Sequence, residues 1–194
     1  MAGEAGRLIA AALTGTLLVA AGPAAPDSVT QMAGRYGAHF RNGSVDGSTY
    51  WSDDVVEVVP VDERHAYVRA ETNFFNGHSC SLAGIAEAAG DALVYRDPAP
   101  ADEYGGQCVL TVRRVTTRLL LDDGDGGCKR HCGARGSFQQ ITLPWASKRP
   151  ITYLPRLRSS PQFRDAVIEW RSGKPVDLPR CPPSCGFGVA PEPR

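Results

Sequence analysis

Short segments with alternating apolar and polar residues, between positions 36 and 123, constrain the fold more than any other feature. In residues 65–72, Ala66, Val68 and Ala70 alternate with larger or charged side chains, the pattern of a half-buried strand. Comparable short runs occur at residues 36–40, 49–51, 55–61, 79–88, 92–97, 107–114 and 117–122. Connections such as 89–91 and 115–116 have the length of hairpin turns. The sequence therefore predicts a mainly β fold, an antiparallel meander that curls into a small half-open barrel to hide its apolar face.

One amphipathic helix is predicted at about residues 160–172. Ser160 suits the N-cap, Pro161 the first helical position and Gly173 the stop. Apolar residues follow at helical spacing: Phe163, Ala166, Val167 and Trp170. We expect this helix to cover the open side of the sheet within one domain, residues 26–172, and residues 173–194 to form a flexible Pro-rich tail.

Residues 1–25 have the pattern of a secretory signal peptide. Arg7 precedes an apolar or small-residue run from 8 to 21, and Gly22, Pro23 and Ala24 supply the small residues of a cleavage site. The run is shorter than the roughly 20 residues that span a bilayer. No cysteine lies at the cleavage point to carry a lipid. We expect a periplasmic or secreted protein that is soluble after cleavage, with no stable membrane insertion.

The balance of charges limits the classes of partner that the protein can bind. The chain has 21 acidic and 21 basic residues, so its formal net charge is +0. A nucleic-acid binder needs a basic face, and anionic lipid attracts a basic protein. The balance therefore argues against both partners and leaves an unknown protein or envelope component.

Six cysteines follow the leader: Cys80, Cys108, Cys128, Cys132, Cys181 and Cys185. In an exported chain such cysteines are typical of structural disulfides. Cys80 and Cys108 each begin a predicted strand with one strand between them, so in a flat sheet their Cα atoms would lie ~9 to 10 Å apart, beyond the ~7 Å that a disulfide spans. We favour Cys80–Cys108 with Cys128–Cys132 where the sheet curls. A crossed arrangement stays open, because the 115–116 turn also brings Cys128 beside Cys108; Cys181 and Cys185 pair most simply with each other.

The two Cys-x-x-x-Cys elements also suggest a different class of function. His131 lies between Cys128 and Cys132, and thiolates with imidazole suit copper or zinc. The spacing resembles the copper motif of exported copper-delivery proteins, but their thioredoxin-like fold needs βαβ units that are not predicted here. An envelope redox or metal-handling protein is thus the alternative, while the leading hypothesis has no cofactor and no metal site.

Catalytic patterns give no consistent set. The chain has no Gly-x-Ser-x-Gly elbow and no His-Glu-x-x-His pair. The acidic stretch at 122–127, read as a calcium loop from Asp123, fails because Gly127 and Ala134 stand at the fifth and twelfth positions, where oxygen ligands belong. We therefore predict no catalytic residues and expect a protein that is not an enzyme.

Four residues are candidates for contact with a partner: Tyr50, Trp51, Phe75 and Arg135. Alternation should bury one ring of the Phe74-Phe75 pair and expose the other near Tyr50 and Trp51; alternatively both rings pack in the core. The glycines around Arg135 either shape a tight loop that presents its guanidinium or merely let the chain turn. In the second case Arg135 serves as an internal salt-bridge partner.

The segment Asp46-Gly47-Ser48-Thr49-Tyr50 resembles a loop of the exported bacterial C-type lysozyme-inhibitor proteins. Those proteins carry Ser-Gly-x-x-Tyr on a small barrel and insert it into the enzyme cleft; here Asp46 replaces the serine, which puts that inhibitory contact in doubt. The resemblance implies a small disulfide-linked barrel and inhibition of a lysozyme-like hydrolase. The leading hypothesis is therefore an exported non-enzymatic binding protein.

Overall fold

The computed structural model describes residues 27–101 and 106–176. Eight antiparallel strands form one sheet in sequence order: β1 (Gly34–Gly43), β2 (Thr49–Pro60), β3 (His65–Asn73), β4 (Ser79–Ala89), β5 (Ala92–Arg96), β6 (Val109–Val115), β7 (Arg118–Asp122) and β8 (Ile141–Pro144). Reciprocal backbone hydrogen bonds of 2.8 and 2.9 Å join Arg149, after β8, to Arg35 in β1. The sheet is thus a nearly closed barrel, which confirms the predicted mainly β meander.

One strand boundary differs from the sequence prediction. The segments 49–51 and 55–61 are parts of the single 12-residue strand β2. Alternation continues between them, because Ser52 and Asp54 point inward near the barrel mouth, where polar groups satisfy them. The Ser52 hydroxyl accepts from Asn42 Nδ2 at 3.1 Å, and Asp54 Oδ1 accepts from the Asn73 N–H at 2.7 Å.

The meander gives the barrel two distinct ends. The upper end carries the connections β1–β2, β3–β4, β5–β6 and β7–β8, and the lower end carries β2–β3, β4–β5 and β6–β7. A short helix, α1 (Ser28–Met32), closes the lower end with the buried side chains of Val29 and Met32. The interior is filled with apolar side chains from every strand, including Val56, Val68, Leu82, Leu93, Leu110, Leu119 and Leu143.

Two helices pack on the outer face of the sheet: α2 (Leu154–Arg158) and α3 (Pro161–Ser172). As predicted for α3, Ser160 Oγ accepts from the Phe163 N–H at 3.2 Å, and Gly173 ends the helix at φ +63°. Leu157 and Ala166 bury a second apolar cluster against Tyr67 and Ile85. Because the barrel is nearly closed, α3 covers the outside of β4 rather than an open side. Within the described residues, no helix is long and apolar enough to cross a membrane.

Glu57 of β2 fastens the helical layer to the sheet. Its side chain is 0% exposed, and its carboxylate accepts a hydrogen bond from the Tyr153 hydroxyl just before α2. Arg69 Nε lies 2.9 Å from Oε2, and Arg35 Nε lies 4.0 Å from Oε1. Register explains the cluster, since Arg35, Glu57 and Arg69 are direct cross-strand partners on three adjacent strands. The buried charge is therefore paired, as burial requires.

The predicted leader, residues 1–25, lies outside the described residues, as does the tail beyond residue 176 with Cys181 and Cys185.

Candidate recognition surface at the disulfide-linked end of the barrel

Two disulfides lie at the upper end of the barrel. Cys80 is bonded to Cys132 and Cys108 to Cys128, with Cα–Cα distances of 4.0 and 4.3 Å. The favoured pairing, Cys80–Cys108 with Cys128–Cys132, is therefore wrong. The Cys128-x-x-x-Cys132 element offers no dithiol, because each sulfur is bonded to a different strand region.

Strand divergence explains the observed pairing. β4 pairs with β5 only from Ala86 to Ala89, so the upper part of β4 turns away from β5 and β6. The segment at Cys132 takes the vacant place beside β4, where Cys80 and Cys132 form an antiparallel bridge. The β6–β7 hairpin returns the chain beside Cys108 and brings Cys128 there, as the open alternative assumed. The sheet therefore keeps Cys80 apart from Cys108.

The loop from Cys132 to Gly136 is held in one shape. Lys129 Nζ donates to three of its backbone carbonyls, those of Gly133, Ala134 and Gly136, at 3.3, 2.8 and 2.8 Å. The Gly133 N–H donates to the Ser79 carbonyl of β4 at 2.7 Å. A Cβ on Gly136 would lie 2.7 Å from Cys80 Sγ, so only glycine fits beside the disulfide. The glycines thus shape a tight loop.

Arg135 is exposed on that loop. Within the described parts of the chain, it forms no ion pair and no side-chain hydrogen bond. The interpretation of Arg135 as an internal salt-bridge partner therefore finds no support there. A fixed loop presenting an unpaired guanidinium is a ready binding element for a carboxylate.

Large apolar side chains are exposed at the tip of the β1–β2 hairpin and on the β3–β4 connection. Val45 is 72%, Trp51 65% and Phe75 47% exposed, whereas Phe74 packs against the barrel interior. One phenylalanine is therefore partly buried against the core and its neighbour exposed, the arrangement that alternation predicts. Exposed apolar side chains grouped together are typical of a binding surface.

Tyr50 joins the two loops instead of projecting from them. Its half-buried side chain points to the interior side of β2, and its hydroxyl accepts from the Gly77 N–H at 2.8 Å. Asn76 Oδ1 accepts from the Val45 N–H at 3.3 Å and adds a second link. Tyr50 therefore positions the surface, and Trp51 and Phe75 provide its exposed area.

Trp51 is oriented by its neighbours on the outer face of the sheet. Its ring stacks on His39, with centroids 4.6 Å apart and planes 12° from parallel. His39 Nδ1 lies 2.8 Å from Asp53 Oδ1. Stacking on a side chain that is itself held by a carboxylate restricts the rotamers of Trp51, so less entropy is lost when a partner covers the ring.

Direct contacts connect these parts into one surface. Tyr50 reaches Gly77, and a Cβ on Gly133 would lie 3.5 Å from His78 Nδ1, so the disulfide-linked loop adjoins the β3–β4 connection. We call the surface formed by residues 43–51, 74–78 and 132–136 the recognition end. It contains all four residues that the sequence proposed for partner contact.

One cluster beside the recognition end has the composition of a metal site. Asp97, Cys108 and His131 place one ligand atom each within 4.8 Å of one another. However, Cys108 is disulfide-bonded and supplies no thiolate, while His131 Nε2 lies at hydrogen-bond distance, 2.7 Å, from Asp97 Oδ2. Burial favours the neutral carboxyl group of Asp97, but the His131 and Ala99 hydrogen bonds and nearby positive charge outweigh it and lower its pKa. The pair is best understood as a link between the end of β5 and the disulfide loop.

Several of these features were beyond sequence reasoning. No pattern in the sequence distinguishes Lys129 from other loop cations, and the Asp97–His131 pair joins residues 34 apart in sequence. Val45 carried a usable signal, an apolar residue between Ser44 and Asp46 in a hairpin loop.

Comparison of the chain with protein families, with curated proteins and with solved structures finds no match.

Proposed function

We propose that the protein is an exported, non-enzymatic binding protein that captures a partner protein with its recognition end, and that the partner is a wall-directed hydrolase of the lysozyme type. The supporting observation is the combination of apolar anchors with an unpaired arginine on a loop fixed by a disulfide and by Lys129. Surfaces of this kind bind with little loss of conformational entropy.

One charged group of the recognition end, the guanidinium of Arg135, suits such an enzyme. Glycoside hydrolases place a pair of carboxyl groups in their cleft. A guanidinium without an internal partner can form a charge-assisted pair with one of them. Arg135 offers that group, and the exposed residues 45–49, which include the acidic Asp46, form a loop at the same end of the barrel. The resemblance noted in the sequence falls on this same loop.

Inhibition assays with matched variants test the proposal. The mature protein should inhibit a C-type lysozyme in a cell-wall turbidity assay, and R135A and W51A should each weaken inhibition at least tenfold. The controls are R164A and I168A, which change an exposed arginine and an exposed apolar residue on α3, away from the recognition end. They should inhibit like the wild type.

The outcome separates binding from folding. Circular dichroism of R135A and W51A should match that of the wild type, because both side chains are exposed. If the folded wild-type protein neither inhibits lysozyme nor captures a hydrolase from an envelope extract, the proposal fails. Equal losses in the R135A and R164A variants would also contradict it.

A further inference from the structure

The lower end of the barrel gathers positive charge that the neutral total conceals. Four basic residues come together there from the β6–β7 hairpin and the segment after β8: Arg114, Arg118, Lys148 and Arg149. We call this group the basic corner. The acidic residues of the same end are Asp27 before α1, Asp62 and Glu63 on the β2–β3 connection, and Asp91 on the β4–β5 connection. The Asp27 carboxylate is used within α1, where it accepts from the Val29 N–H and the Thr30 hydroxyl at 3.0 and 2.7 Å.

Uncharged groups hold these cations in place. Arg114 Cζ lies 4.6 Å and Lys148 Nζ 5.4 Å from the centroid of the Trp145 ring, which fixes both over one indole. Lys148 Nζ also donates to the Gln31 carbonyl at 2.6 Å. Arg118 donates to Thr142 Oγ1 at 2.7 Å.

The basic corner lacks a neutralising carboxylate. Among residues 27–101 and 106–176, every ion pair found involves other side chains. The Arg149 guanidinium donates to the carbonyls of Ala146 and Lys148. Two of these positive charges lie close enough to repel each other: burial lowers the pKa of Lys148, and the charge of Arg114 lowers it further. Folding has concentrated like charges that repel one another, which an anionic partner would relieve.

An apolar tip stands within the basic corner. Val115 is 38% exposed at the β6–β7 turn, between Arg114 and Arg118. Thr116, next in the turn, has φ +49°, so the turn is tight and presents Val115 at its edge. Basic side chains around an exposed apolar residue are the arrangement of a surface that rests on anionic headgroups.

We propose that the basic corner docks the protein on the surface of an anionic phospholipid membrane and leaves the recognition end facing away. The position of the preceding chain favours a membrane over other polyanions. The predicted leader, residues 1–25, joins the described chain at Asp27, directly before the helix that closes this same end. The start of the described chain and the basic corner therefore lie at the same end of the barrel. Contact is peripheral, through phosphate groups, and requires no insertion.

Vesicle sedimentation tests the docking surface. The mature protein should bind phosphatidylglycerol–phosphatidylcholine vesicles at low salt and lose binding as salt rises above ~0.1 M, where the Debye length falls below ~10 Å. Each basic side chain contributes about 1 kcal/mol near an anionic surface, or about fivefold in partitioning. The R118Q/R149Q variant, in which both residues are exposed, should therefore bind about 25-fold more weakly, and R114Q/K148Q should change binding in the same direction.

The control variant is R164Q/R171Q, which removes the same charge from exposed positions on α3. It should keep most of the vesicle affinity, and R118Q/R149Q should keep the lysozyme inhibition of the wild type. Equal losses in R118Q/R149Q and R164Q/R171Q would overturn the proposal. So would equal binding to pure phosphatidylcholine, or binding to soluble heparin that anionic vesicles do not compete away.

Discussion

Removing the Cys80–Cys132 disulfide should cost about 4 kcal/mol of unfolding free energy, on a chain-entropy estimate for a closed loop of 52 residues. The same estimate gives about 3 kcal/mol for Cys108–Cys128, which closes 20 residues. The C80A/C132A variant should therefore lose more stability than C108A/C128A. The physical reason is that the longer link removes more freedom from the unfolded chain. Guanidinium unfolding of the three proteins under non-reducing conditions measures both losses.

Peptide mapping tests the same disulfides without mutation. Trypsin cuts after Lys129 and Arg130, so Cys128 and Cys132 fall on different peptides, residues 119–129 and 131–135. In the oxidised protein, peptide 119–129 should be linked to the Cys108 peptide, and peptide 131–135 to the Cys80 peptide. A link between 119–129 and 131–135 would refute the reasoning on strand divergence. A loss below about 1 kcal/mol in C80A/C132A would refute the magnitude.

Three smaller perturbations test particular contacts. G136A should destabilise the protein by about 1 to 3 kcal/mol in thermal unfolding, because its Cβ would overlap Cys80 Sγ. The control is G37A, whose Cβ would meet Arg35 Nη1 at 3.6 Å and the Asp54 carbonyl at 3.7 Å, ordinary contacts at a site without a positive φ. Tyr67 has a buried hydroxyl with no hydrogen-bond partner in the described structure, so Y67F should stabilise the fold by about 1 kcal/mol or more. Burial also raises the pKa of Tyr67 to about 12. The stability that depends on its protonated hydroxyl is therefore complete below the unfolded pKa near 10 and is lost as pH rises towards 12. Y67F should unfold less readily than the wild type across that window in a pH titration followed by circular dichroism. The pKa of Asp97 is lowered in the fold, so the stability that its carboxylate contributes is present above the unfolded pKa near 4 and lost as pH falls below it. D97N should therefore flatten the acid branch of a stability–pH curve. An unchanged acid branch would contradict the role of the hydrogen bond between Asp97 and His131.

The barrel could be predicted because its sequence rule is local. Alternation along residues 65–72 assigns Val68 inward and Arg69 outward, and the structure buries Val68 at 0% exposure. Ser160, Pro161 and Gly173 likewise determine the ends of α3 through contacts within a few residues. At these positions the controlling interaction is short in sequence, and the pattern and the structure agree.

The disulfide pairing and the two surfaces depend on contacts that are distant in sequence. The disulfide pairing depends on how far β4 stays paired with β5, and no residue in either strand indicates that length. The basic corner is formed by Arg114 and Lys148, which meet over Trp145 only after β8 returns the chain to the lower end. A net charge of +0 could not reveal this, because a sum carries no information about position.

The two ends of the barrel differ for a reason rooted in the topology. Lower connections such as Gly90–Asp91 and Thr116–Thr117 are short turns, and α1 fills the opening there, so that end needs no covalent link. The upper connections β5–β6 and β7–β8 are long, and long segments lose more entropy on ordering. Cys108, Cys128 and Cys132, three of the four disulfide-bonded cysteines of the described chain, lie on these connections. They hold in place the loops from which Arg135 projects, whereas the barrel itself is held by its apolar interior. Covalent restraint is thus concentrated where a binding surface needs a fixed shape and where hydrophobic packing cannot provide one.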